Sequence, residues 1–115
     1  MRVLLASTRS AGHFGPLVPF ARACERAGHE VLVAAPRSAA ALVRNAGLRH
    51  APHGDPSEEV LAPVWARVRS APSREEANTI VMEEVFAGEH ARSALPGMEA
   101  TMRAWGPDVV LRETG

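Results

Sequence analysis

Apolar positions follow two rhythms along the chain, and the rhythms alternate. Residues 2–8 carry the unbroken run Val3-Leu4-Leu5-Ala6, and residues 30–35 carry Val31-Leu32-Val33-Ala34-Ala35. Runs this short and this continuous predict strands buried on both faces, as in a parallel sheet covered by helices. Between them Leu17, Phe20, Ala21, Cys24 and Ala27 recur at three- and four-residue spacing. That spacing predicts a helix opened by Pro16 and stopped at Gly28. Pro36 ends the second strand, Ser38 is placed to cap a helix through residue 45, and Gly47 stops it before a short third strand over 48–51.

Residues 52–57, PHGDPS, read as loop, and Pro63 interrupts the pattern of SEEVLAPVWARVRS so that it assigns no clear element. Residues 74–104 predict mostly helix, with Ala91, Leu95, Met98, Met102 and Trp105 as one apolar stripe and a kink or a fresh start at Pro96-Gly97. GPDVVLRETG then gives a turn and a fourth strand over 108–112. Alternating strands and helices with short connections define the fold class: α/β, a Rossmann-like parallel sheet with helices on both faces. The last apolar strand has no helix after it to cover it. The expectation is therefore a single partial domain over residues 1–115, truncated after the fourth strand, whose exposed sheet edge favours self-association.

Composition narrows the field of functions. The chain has 115 residues, 46% of them hydrophobic, enough for one core. Thirteen basic residues balance thirteen acidic ones, so no positive field draws nucleic acid or an anionic membrane. No apolar stretch approaches the roughly 20 residues of a spanning helix, and a cytoplasmic location is expected. Cys24 is the single cysteine, and it falls among helical alanines as a packing residue.

In a doubly wound sheet the fourth strand returns to lie beside the first, and ligands bind in the crevice beyond the ends of those two strands. His13 follows strand one in STRSAGHFGPL, and Glu113 follows strand four. Strands about 4.8 Å apart allow the two side chains to meet across the crevice. The positive end of the following helix disfavours an imidazolium there, whereas a carboxylate on one ring nitrogen favours it and fixes the tautomer. Together they describe a general base. The arrangement has the logic of a serine-protease triad without its serine, so the substrate is expected to supply the hydroxyl.

The run MRVLLASTRSAGHFGPLVPFARACERAGHEVLVAA, followed by PDVVLRE, resembles the N-terminal domain of GT-B-fold glycosyltransferases. The closest resemblance is to bacterial enzymes that transfer sugars from nucleotide donors to natural-product aglycones of the antibiotic and macrolide type. Its sharpest elements are Gly12-His13, Pro16-Leu17, Gly28-His29-Glu30-Val31 and Pro107-Asp108. The resemblance implies that His13 deprotonates the acceptor hydroxyl, that the oxygen attacks the anomeric carbon with inversion, and that nucleoside diphosphate leaves. It implies no cofactor beyond the nucleotide-sugar co-substrate and no metal. Many members carry aspartate where this chain has Glu113.

In that family the region between strands three and four shapes the acceptor pocket, so Trp65, Met82 and Phe86 are candidates for acceptor contact, with core packing the competing reading at their helical spacing. Phe14 is a further acceptor candidate, and Ser10 and Gly12 are candidates for a donor-proximal loop. The partners it implies are a small-molecule aglycone, a nucleotide sugar, and the C-terminal donor-binding domain, in the same polypeptide or as a separate subunit. The fragment alone is expected to be inactive. A subunit of a split enzyme, a noncatalytic small-molecule-binding module and a structural assembly protein are the competing readings. Arg112 is not assigned to the site, because it points away from Glu113 if the strand persists. His29 reads as capping or packing, His50 and His53 as structural or solvated, and His90 as an exposed helical residue.

Overall fold

The computed structural model describes residues 1–113. Four strands, β1 (Arg2–Ala6), β2 (Glu30–Pro36), β3 (His50–His53) and β4 (Val109–Arg112), form one parallel sheet in the order β3-β2-β1-β4. Val3 pairs with Val31 on one side and with Val109 on the other, so β1 is central and the chain reverses direction across the sheet between β1 and β4. The described fourth strand agrees with the reading of residues 108–112. The expectation that no helix covers it concerns Thr114 and Gly115, which lie outside the described residues.

Strand alternation divides the core in two. Leu5, Val31, Val33 and Ala35 face one layer of helices: α1 (Ala11–Phe14), the 3₁₀ turn Gly15–Leu17, α2 (Val18–Arg26) and α3 (Ala40–Asn45). Phe14, Leu17, Ala21 and Val43 close that layer, with Cys24 packed against it as expected. Phe20 departs from the predicted stripe and stands 62% exposed. The helical run begins at Ala11 rather than Pro16, and its buried face centres on Leu17 and Ala21, which turns Phe20 outward.

Leu4, Leu32 and Ala34 face the other layer, where Met98 and Trp105 of α6 (Ala91–Trp105) pack against them. The predicted stripe on this helix is rotated, since Leu95 is 57% and Met102 44% exposed. Backbone proximity decides the rotation. A Cβ on Gly97 would lie 2.7 Å from His53 Cβ and 2.9 Å from its Cα, and a Cβ on Gly54 would lie 2.6 Å from the Ser93 carbonyl oxygen. Two glycines thus let α6 press directly onto the end of β3, with Gly97 and Met98 inward. The helix runs through Pro96-Gly97 without ending there.

Two further segments differ from the sequence reading. His50–His53 is strand, so Pro52 and His53 belong to the sheet rather than to a loop. Ser38 caps no helix; its hydroxyl donates to Asp55 instead. Residues 57–70, which the pattern did not assign, form α4 (Glu58–Ser70), with the Ser57 hydroxyl accepting from the Val60 N–H and Pro63 inside the helix. Then α5 (Arg74–Ile80) continues through a π-helical stretch, Val81–His90, into α6. Leu61, Val64 and Val85 make a small separate core between α4 and the π-helical stretch.

Candidate functional site

Local chemistry builds the mouth of the site. The Ser10 hydroxyl accepts from the Gly12 N–H and starts α1, which puts His13 in the first helical turn beyond β1. At the other end, the Asp108 carboxylate accepts from the Arg2 N–H at 2.7 Å, and the Asp108 N–H donates to the Arg2 carbonyl at 2.8 Å. Those two bonds seat β4 beside β1, so Glu113 emerges next to His13. Nδ1 of His13 lies 2.7 Å from Oε1 of Glu113, with 28% and 24% of the side chains exposed. The carboxylate accepts the Nδ1 proton, and Nε2 is left with the lone pair of the neutral ring.

The dyad opens into a cavity of about 420 Å³ at the switch point of the sheet, a size typical of small-molecule sites. Ser7 and Thr8 form its floor after β1, and Met82, Phe86, Ala94 and Met98 form an apolar wall. Met82, Phe86 and His90 recur at every fourth residue. In an unbroken α-helix each such step would advance the side chains by about 40° around the axis. Steps of that size keep neighbouring side chains on one side of the helix, and Met82, Phe86 and His90 of the π-helical stretch line the cavity together with Ala94 and Met98 of α6. Phe86 sits edge-on to His13, with ring centroids 5.8 Å apart.

The sequence-selected residues divide. His13, Glu113, Met82 and Phe86 come together at the cavity. Phe14 does not; it is 4% exposed and belongs to the core beneath α1, because its position one residue after His13 turns it toward the sheet. Trp65 lies on α4, 37% exposed and outside the cavity lining. Ser10 and Gly12 are exposed, and the bond between them starts the helix.

Among the lining residues that were not selected, three carry ionisable side chains. Arg112 lines the cavity beside Glu113. His53 is buried and reaches the cavity because β3 extends to it. His90 is half-buried rather than exposed. Burial lowers the His90 pKa below the ordinary histidine value, Asp55 opposes that shift, and Arg9 and His53 reinforce it. The four-residue recurrence of Met82, Phe86 and His90 was the available signal for His90; nothing local marked Arg112 or His53. His50 is structural, its Nε2 donating to the Ala35 carbonyl, and His29 packs against the N-terminal amine. Among the described residues no group of three or more His, Cys, Asp or Glu side chains is arranged to hold a metal ion.

The four-stranded parallel α/β fold is the one the chain shares with GT-B-fold glycosyltransferases of antibiotic biosynthesis, and its likeness is to their N-terminal part. No protein-family model matches the sequence. L-demethylnoviosyl transferase of Streptomyces niveus is 36% identical over 115 residues, covering 98% of the chain and 29% of the relative. The glycosyltransferase SsfS6 of Streptomyces sp. SF2575, solved in complex with thymidine diphosphate, is 35% identical with a TM-score of 0.76 over 99% of the chain and 33% of its own. Spinosyn rhamnosyltransferase SpnG, solved with the spinosyn aglycone, is 27% identical with a TM-score of 0.67 over 96% of the chain and 28% of its own. The chain thus spans about a third of the length of these relatives. No described helix is long and apolar enough to cross a membrane.

Proposed function

We propose that the chain is the acceptor-binding, base-carrying part of an inverting glycosyltransferase acting on a natural-product aglycone. Nε2 of His13 takes the proton from an acceptor hydroxyl as that oxygen attacks the anomeric carbon of a nucleotide sugar. The bond to the nucleoside diphosphate breaks on the opposite face, and the proton stays on the imidazole until solvent removes it. Glu113 orients the ring and stabilises the imidazolium as it forms. The donor is held by a C-terminal domain, in the same polypeptide or as a separate subunit, and no metal is required. Thymidine diphosphate, present in the SsfS6 complex, is the first nucleotide to try. The reading carries with it a cytoplasmic location.

The observation that carries this reading is the 2.7 Å contact between His13 and Glu113 at the mouth of the cavity. It leaves one imidazole nitrogen as a base facing a pocket of small-molecule size. In the complete two-domain protein, transfer from a thymidine-diphosphate sugar should give a product of inverted anomeric configuration by NMR. Retention of configuration refutes the mechanism. The 115-residue chain by itself should transfer no sugar, because catalysis needs donor and acceptor held together.

A further inference from the structure

The cavity has a second polar end. His53 Nδ1 donates to the Gly54 carbonyl at 3.0 Å, so Nε2 of the neutral ring is an acceptor. His90 makes no hydrogen bond among the described residues, and both rings line the cavity. Burial lowers the His90 pKa and so favours its neutral form, in which the ring offers one N–H donor. Phe86 links this end to the catalytic one: its centroid is 6.0 Å from that of His90 and 5.8 Å from that of His13. His13 and His90 can therefore be no farther apart than those two distances laid end to end. The span between them is walled by Phe86, Met82 and Met98, whose ring and thioethers favour a flat aromatic occupant.

We propose that His53 and His90 form a second anchor in the acceptor cavity, gripping a distal hydroxyl of a planar aromatic acceptor while His13 acts on the reacting one. A hydroxyl satisfies both rings at once, donating to Nε2 of His53 and accepting from the N–H of His90. An acceptor without that hydroxyl leaves two polar groups facing an apolar ligand. The inference rests on the acceptor-pocket reading and narrows it to aromatic acceptors carrying a second hydroxyl.

Binding of three probes to the chain, measured by calorimetry, tests this: 2-naphthol, 2,6-dihydroxynaphthalene and 6-methoxy-2-naphthol. The diol should bind about tenfold more tightly than 2-naphthol, the yield of two neutral hydrogen bonds, and about threefold more tightly than the methyl ether, whose oxygen still accepts from His90 but has no proton for His53. His90→Phe, which keeps a ring of similar size, should cut that preference to about threefold or less while 2-naphthol still binds. The methyl ether removes the distal donor without altering the protein, so the comparison survives a variant that fails to fold. Equal affinities for the three probes, or a preference unchanged in His90→Phe, overturn the anchor and leave the acceptor pocket standing. Failure of all three to bind overturns the pocket reading and the anchor with it.

Discussion

Replacing Gly97 with alanine sets two effects of known size against each other. In a helix interior alanine is favoured over glycine by about 0.8–1.0 kcal/mol. At this position, however, the new methyl would stand 2.7 Å from His53 Cβ and 2.9 Å from its Cα. Carbon atoms in comfortable contact are about 3.5–4.0 Å apart, so α6 must lift from β3 by about 1 Å or the strand end must give way. Overpacking of this kind costs about 1–3 kcal/mol. The steric effect wins, and Gly97→Ala should lower the unfolding free energy by about 1 kcal/mol, with about 2 as the upper end. Ala100→Gly, at an exposed position on the same helix, reports propensity alone and should also destabilise, by about 1 kcal/mol. Urea unfolding of the two variants beside the parent measures both. Because the lifted helix carries Met98 and displaces His53, Gly97→Ala should also weaken 2-naphthol binding. If Gly97→Ala instead raises stability by as much as Ala100→Gly lowers it, helix propensity acts alone and the close seating of α6 is refuted.

On the proposed function, when donor and acceptor are held together, His13→Ala should slow single-turnover transfer to an alkyl alcohol by about 10²–10⁴-fold while donor affinity is kept; an unchanged rate rejects the base assignment. Glu113→Gln should be milder, since the amide oxygen can still accept a hydrogen bond from Nδ1–H but lacks the charge that steadies the imidazolium, and an acidic phenol should partly rescue both variants. Because burial holds His90 below the ordinary histidine pKa of about 6.5, the unfolded chain binds the proton more readily, so stability should fall as pH drops below about 6.5 until the lowered folded value is reached. Asp55 opposes that shift while Arg9 and His53 add to it, and the slope should flatten in His90→Gln when the two unfolding profiles are subtracted. Val109, Val110 and Leu111 on the edge strand are each more than a third exposed, so the chain should self-associate through β4 in sedimentation velocity, and Val110→Lys should return it toward monomer.

The order of strands and helices was written into the local pattern, because continuous apolar runs, a helical period and glycine stops each act within a few residues. Val3-Leu4-Leu5 and Val31-Leu32-Val33 had to be interior strands whatever lay around them, and the return of the fourth strand beside the first followed from chain topology. That was enough to bring His13 and Glu113 to the same crevice, and a sheet pairing β1 with β4 places them 2.7 Å apart. Which face of each helix turns inward was not legible in the same way. A helical period is unchanged by rotation, so the rotation of α6 depended on Gly97 meeting His53 and on Gly54 meeting Ser93, contacts between segments some forty residues apart. Phe14 went to the core and Trp65 to the surface for the same reason: aromatic character marks a residue for packing but does not say against what. Arg112 and His53 entered the cavity only through tertiary structure, His53 by the length of β3, whereas His90 had the four-residue recurrence with Met82 and Phe86 as its one local signal. Local sequence determines elements because their energetics are local; the walls of a cavity are shared between elements, and only their packing decides which side chains face it.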